Sequence, residues 1–342
     1  MPLRPESCVQ LLPPCFVVCL SQVHYTMKRK ILRPPFSFLF VPVPHRHGYR
    51  MKSFWDTLKY ISSLSTKFTT GIYAVIGFAG LFVSYNDFFS DDTSAVKRLA
   101  VGTSVLVTLW VVPLLITLLI LKCKKNFKIL NNNGHALYVQ YGDLFGQKEL
   151  KNTYKRWNIV VPVNRCFDTR VDNHVVSEES VHGSAFQKLY QSGVYTEESL
   201  STKLDRLLAR TEYEELTRRE KPDGRRKRYP VGTVVDLPGI GEEHYLLCAL
   251  STFDEKIKAR TEMQNFTVAV QSLIEAINTY SEGYPVLMPL IGAGLSRLDK
   301  EQQEILRYLI SAIIFNKDKI NCDIHVVIRK NLKNEISIFN LK

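Results

Sequence analysis

The sequence predicts a layered α/β domain carried behind a two-helix membrane hairpin, and three observations predict it. Residues 68–86 run for 19 positions without a formal charge, and Leu99–Leu121 for 23 more. From about Lys128 onward, short β-rich apolar stretches alternate with longer stretches of helical periodicity. The first 50 residues resemble neither part. Whole-chain averages hide this division. The 342 residues carry 45 Lys+Arg against 33 Asp+Glu, a net charge of +12. The pI near 9.3 would ordinarily suggest nucleic acid, and the mean hydropathy of −0.07 a soluble protein. With 45% hydrophobic residues, a wholly disordered or collagen-like chain is excluded.

Residues 1–50 hold seven Lys/Arg and one acid, eight of the 15 Pro and three of the seven Cys. The apolar run Val9–Leu20 is cut by Pro13 and Pro14 and lacks a small-residue cleavage site, so a secretory signal is rejected. Pro34, Pro35, Pro42 and Pro44 block regular helix. Met51-Lys-Ser-Phe-Trp reads as a natural beginning. The segment is therefore expected to be a disordered extension, or translated sequence upstream of the working start.

Residues 51–125 are expected to form the hairpin, with spans at 68–86 and 99–121. A bilayer core needs about 20 helical residues at ~1.5 Å each, and both runs reach that length. Pro113 would kink the second span without abolishing it. Lys52, Lys59 and Lys67 precede the first span, and Lys122, Lys124, Lys125 and Lys128 follow the second. The connecting turn sets Asp87, Asp91 and Asp92 against Lys97 and Arg98. Positive charge at both ends predicts an inner-membrane protein with both termini and the following domain cytoplasmic. Seven cysteines without a C-x-x-C pair fit a reduced compartment.

Residues 128–342 suffice for one full domain. Strands are expected at His135–Tyr141, Ile159–Val163, Thr233–Leu237, Tyr245–Leu250, Val286–Leu290 and Ile324–Arg329. Helices are expected at Gly183–Gln191, Leu200–Leu208, Glu262–Tyr280 and Lys300–Phe315, the third marked by Phe266, Val270, Leu273 and Ile277 at helical spacing. Interleaved strands and helices imply a layered sheet, with ligands on the loops beyond the strand ends. A charged insertion at about 195–230 carries Glu212, Glu214 and Glu215, then Arg218, Arg219, Lys221, Arg225, Arg226, Lys227 and Arg228. It reads first as a solvated hairpin or loop, and second as a contact for anionic lipid. Nucleic acid comes last, since no aromatic platform is interleaved.

The loops hold the chemistry. After the Val286 strand come Gly292, Ala293, Gly294, Leu295, Ser296 and Arg297. Two glycines around an alanine leave the backbone N–H groups open to an anion, and Arg297 could fork onto phosphate. A tight turn needing glycine explains the same residues. The lysine of a Walker motif is absent, which disfavours a P-loop nucleotidase. Asp143 and Leu144 follow the first of these strands, Asn164 to Asp168 follow the next, and Ser180, Val181, His182 and Gly183 open a helix.

On these residues the domain resembles the macro domain, the ADP-ribose-binding module, over nearly all of 135–330 and in the right order. The resemblance implies a three-layer αβα fold with a mixed central sheet. It places Asp143 at the adenine amino group and Asn164 near the distal ribose. The Ser180–Gly183 loop would wrap the diphosphate, and Gly292–Arg297 would close over phosphate and ribose. Asp143 as a turn-capping residue is the alternative. The glycine run of the diphosphate loop is here reduced to Gly183, and Pro162-Val-Asn-Arg-Cys replaces an Asn-rich loop. Hydrolytic members rely on that neighbourhood, so the expectation is a reader with no catalytic residues, metal or cofactor. His182 and Asp168 remain the acid/base groups of the alternative, a membrane-tethered ADP-ribosyl or nucleotide hydrolase.

A cytoplasmic macro domain behind two spans resembles, more narrowly, the macro-domain effector of Thoeris anti-phage systems. That resemblance implies a signal made from NAD by a TIR-domain partner. The signal would be an ADP-ribose derivative, with an amino-acid conjugate such as histidine-ADP-ribose as the plausible form and Asn164 or Asp168 towards its variable end. Binding is expected to drive homo-oligomerisation and disruption of the lipid bilayer.

Overall fold

The computed structural model describes residues 46–80, 94–123, 126–146, 150, 154–253, 259–292, 298, 300–339 and 341. Two long helices come first, α1 (Arg46–Ala79) and α2 (Ala95–Cys123). They run antiparallel. Tyr60 of α1 and Leu114 of α2 pack against one apolar cluster, and further along the Tyr73 hydroxyl donates to the Leu106 carbonyl at 3.3 Å.

Of the described helices, only α2 is long and apolar enough to cross a membrane, over the 25 residues Ala95–Leu119. Most of its apolar side chains are exposed, with Leu99, Trp110 and Leu119 more than half so. The expected first span is not supported. The uncharged part of α1 runs only from Phe68 to Ala79, about 18 Å of helix, whereas a bilayer core is ~30 Å thick. Upstream, Lys59 and Lys67 are exposed, and the remainder of 68–86 lies outside the described residues. The expected extension 1–50 also falls mostly outside them, with α1 beginning at Arg46.

The remainder folds around an eight-stranded sheet. Its strands are β1 (Asn126–Asn132), β2 (His135–Gly142), β3 (Trp157–Asn164), β6 (Val234–Pro238), β7 (Glu243–Phe253), β8 (Ala259–Arg260), β9 (Val286–Pro289) and β10 (Ile324–Arg329). A separate two-stranded hairpin, β4 (Glu214–Glu215) with β5 (Lys227–Arg228), lies in the charged insertion. The sheet order is β1-β2-β10-β9-β3-β7-β6, with β8 paired to β7. From β2 to β7 all neighbours are parallel, while β1 and β6 close the edges antiparallel. The sheet is mixed, as expected.

Strand alternation builds two cores. Val160, Leu246, Cys248, Met288 and Val326 point to one face, against α5 (Met263–Tyr280) and α6 (Gln302–Phe315). Ile159, Val161, Leu247, Leu287 and Val327 point to the other, against α3 (Val181–Gln191) and α4 (Glu197–Leu207). Strands buried on both faces are why these segments read as nearly unbroken apolar runs. All six expected strands and four expected helices of this domain are present. β1, β4, β5 and β8 are additional.

The sheet is not paired evenly. β3 follows β7 along its whole length, from Trp157 to Asn164, but pairs with β9 only at Asn158 and Ile159. Beyond Ile159 the ladder between β3 and β9 ends. Pro162 on β3 and Pro289 on β9 bring no N–H to extend it. The carboxyl half of the sheet is therefore split between these two strands.

Candidate functional site

The split opens at the carboxyl ends of the parallel strands, where ligands of open α/β sheets bind. The loops after β2, β3 and β9 and the start of α3 belong to that edge. Nearly every sequence-expected site residue lies on them.

Helix α3 begins at the N-cap Ser180, whose Oγ accepts from the Gly183 N–H at 2.8 Å and donates to the Ser177 carbonyl at 2.6 Å. The cap fixes a helix start whose first amides carry the positive end of the helix dipole. Gly183 serves packing here. A Cβ at that position would stand 2.2 Å from the Ser177 carbonyl oxygen, so only glycine lets the preceding loop cross the helix. Val181 is half-buried against the Phe186 core.

His182 is buried, its ring edge-on to Phe186 at 4.5 Å. Burial drives its pKa down to about 3, against a backbone hydrogen bond with Asp168 that favours the charged form. It is neutral at pH 7, and its Nε2 has no hydrogen-bond partner among the described residues. A histidine so held does not supply a proton near neutrality.

Asn164 ends β3 with its Oδ1 accepting from the N–H of Cys166 at 3.1 Å and of Asp168 at 3.3 Å. It shapes the loop. Phe167 within that loop takes a left-handed φ of 52° and is fully buried against Tyr229. Asp168, expected towards the variable end of a ligand, is instead committed internally. One carboxylate oxygen pairs with the Lys221 ammonium, and the other accepts from the Arg225 N–H at 2.5 Å. Lys221 also donates to the Arg225 carbonyl at 2.6 Å. Both members of the ion pair are almost wholly buried, at 1% for Asp168 and 4% for Lys221. Desolvation pushes the Asp168 carboxyl up, while Lys221 and the Arg225 amide pull it down.

The charged insertion is thus less solvated than its composition suggests. Its hairpin turns Lys221 inward, and Arg225 bonds the Cys166 carbonyl at 3.2 Å, Ser201 Oγ at 2.6 Å and Asp205 at 2.7 Å. Asp223 also meets Arg170 at 3.4 Å and His174 at 3.2 Å. The insertion is the outer clamp on the loop between β3 and α3.

Asp143 is exposed directly after β2 and its Oδ1 accepts from the Phe145 N–H at 3.2 Å, a local turn cap. Leu144 is buried in the second core, so any contact it makes with a ligand comes from its backbone. Gly292 follows β9 at φ 84°, with Phe266 packed so closely that a Cβ would stand 3.0 Å from its ring. Ala293, Gly294, Leu295, Ser296 and Arg297 lie outside the described residues.

Two residues of this region escaped the sequence reading. Lys221 sat in a charge run that hid its burial. Arg329 ends β10, beside Gly142 of β2, and its guanidinium donates to the Glu179 carbonyl at 3.0 Å, just ahead of α3. A charged residue closing the apolar run Ile324–Ile328 was the available signal.

This fold, with its split sheet and helix-start loop, defines a macro-domain protein. The chain belongs to the family described as Thoeris protein ThsA, Macro domain, which matches residues 137–329. The Thoeris protein ThsA of Bacillus amyloliquefaciens (strain Y2) is 26% identical over 218 residues, 62% of this chain and 69% of that protein. Among solved structures, an Oceanobacillus iheyensis macrodomain with ADP matches at 12% identity and a TM-score of 0.40, over 61% of this chain and 90% of that one. The same macrodomain with MES bound matches at 12% identity and 0.39, over 59% and 88%.

Proposed function

We propose that this protein is a Thoeris anti-phage effector whose macro domain reads an ADP-ribose derivative in the split between β3 and β9. One observation carries the reading: the β3–β9 ladder stops at Ile159, so the two strands are unpaired towards the carboxyl edge of the parallel sheet, the edge to which the capped start of α3 belongs. A diphosphate suits the α3 start and the Gly292–Arg297 loop, with Arg329 as an added cation. Adenine would lie towards Asp143. Asn164 would act through the loop it shapes.

The protein acts without chemistry of its own. His182 is neutral and Asp168 is paired with Lys221, so neither acid/base candidate is poised for hydrolysis. The ligand would be made from NAD by a TIR-domain partner, with histidine-ADP-ribose the leading form. It would shift the chain towards an assembled state, which requires tighter binding to that state than to the resting one. The membrane is the target. Of the described helices α2 is the one fitted to enter it, and α1 is tied to α2 where the Tyr73 hydroxyl donates to the Leu106 carbonyl.

The test is dye release from anionic vesicles carrying the full chain. Histidine-ADP-ribose should release dye and be recovered intact. Tight binding without release would sink the membrane step. Conversion of the nucleotide to products would make the protein an enzyme.

A further inference from the structure

We infer that the buried tail segment 336–339 is the strut that couples the nucleotide loops to the long helices α1 and α2, an inference that rests on the nucleotide reading above. Ile336 and Ile338 are fully buried, and Phe339 and Leu341 nearly so.

One end of it is held by β2 and α6, the elements next to the Asp143 turn and the segment after β9. The Tyr141 hydroxyl donates to the Ile336 carbonyl at 2.6 Å, and Tyr141 stands two residues before Asp143. Burial pushes that phenol up to about 12, so it stays a donor at any physiological pH. Ser337 is clasped twice by Gln303: its N–H donates to Oε1 at 2.8 Å and its carbonyl accepts from Nε2 at 3.1 Å. Gln303 lies in the first turn of α6, the helix that follows the Gly292–Arg297 segment.

The other end of the tail meets α1 and the strand that follows α2. Phe339 stacks on Tyr60 of α1 at 5.7 Å, with 20° between the rings. Phe127 stands edge-on to both, at 5.7 Å from Tyr60 and 6.0 Å from Phe339. Phe127 opens β1, the strand that follows α2. Three rings therefore join α1, the exit of α2 and the tail. The tail's hydrogen bonds to β2 and α6 thus lie within a few residues of that cluster.

Short, buried, hydrogen-bonded at one end and ring-packed at the other, this segment transmits displacement where a solvated tail would absorb it. Adjacency alone does not establish coupling; a response that both ends share does. Hydrogen exchange on the full chain in lipid nanodiscs, with and without saturating ADP-ribose, reads that response. In the native protein the nucleotide should slow exchange at least threefold in 142–146 and 180–184, and change it in 336–339 and 59–73. Tyr60→Leu removes the stack from a half-buried helix position and should keep the loop response while losing that of 59–73. Tyr60→Phe should restore it. Loops that respond while 336–339 stays unchanged would overturn the inference alone, as would a Tyr60→Leu protein that still transmits. Silent loops in the native protein would overturn the nucleotide reading, and the strut with it.

Discussion

Gly183 and Gly292 stand at two loops expected to cradle phosphate, yet each is glycine for its own reason. Gly183 makes room for the Ser177 carbonyl, so Gly183→Ala should cost about 1–3 kcal/mol in a urea titration, as overpacking does. Gly292 holds a left-handed backbone at the mouth of the split. Gly292→Glu should lower ADP-ribose affinity at least 100-fold, because its side chain would be forced against Phe266 and Leu298 and push the loop, with an added negative charge, out of place. Gly292→Ala keeps the backbone strain without the charge and should lose far less. His182 makes stability pH-dependent. Its folded pKa lies near 3 and its unfolded value near 6.5, so below pH 6.5 only the unfolded chain takes up the proton. Stability should fall as pH drops from about 6.5 towards 3, by up to ~1.4 kcal/mol per unit. Denaturant midpoints across that range should show the slope, and His182→Leu should reduce it. Glycine and histidine were visible in the sequence. Why they stand there was not, because close approach and burial arise only from packing.

At the scale of elements, the buried strands and amphipathic helices of the domain were legible because their apolar runs have nowhere else to go. β1 was missed because Asn126-Phe-Lys-Ile-Leu-Asn-Asn mixes polar residues into an edge strand, next to a span that drew the eye. β4, β5 and β8 are two residues each and carry no periodic signal. The insertion forms a hairpin with most of its charges exposed, but a run of charges gives no hint that Lys221 is the one turned inward. Lys221 pairs with Asp168 inside the protein, and breaking such a pair from one side costs ~3–5 kcal/mol. Lys221→Ala should therefore lower the urea midpoint sharply and loosen the loop from Asn164 to Ser180. The double variant Asp168→Asn, Lys221→Met should recover much of the loss, since no lone charge remains buried.

For the whole molecule, the +12 charge is divided among three parts with different roles. Half belongs to residues 1–50, and much of the rest flanks the helices or sits in the insertion. On the function proposed above, the basic pI would reflect the positive flanks of a membrane helix and not a nucleic-acid surface. Protease added to intact spheroplasts should leave residues 130–342 undigested; their loss would reverse the orientation. The central claim is that the split between β3 and β9 binds an ADP-ribose nucleotide without consuming it. Calorimetric titration of the full chain with ADP-ribose, followed by chromatography of the recovered nucleotide, tests this most directly. The account predicts saturable binding at one site per chain, abolished by Gly292→Glu, with the nucleotide returned intact. Absence of binding heat, affinity unchanged in Gly292→Glu, or a cleaved nucleotide would contradict it.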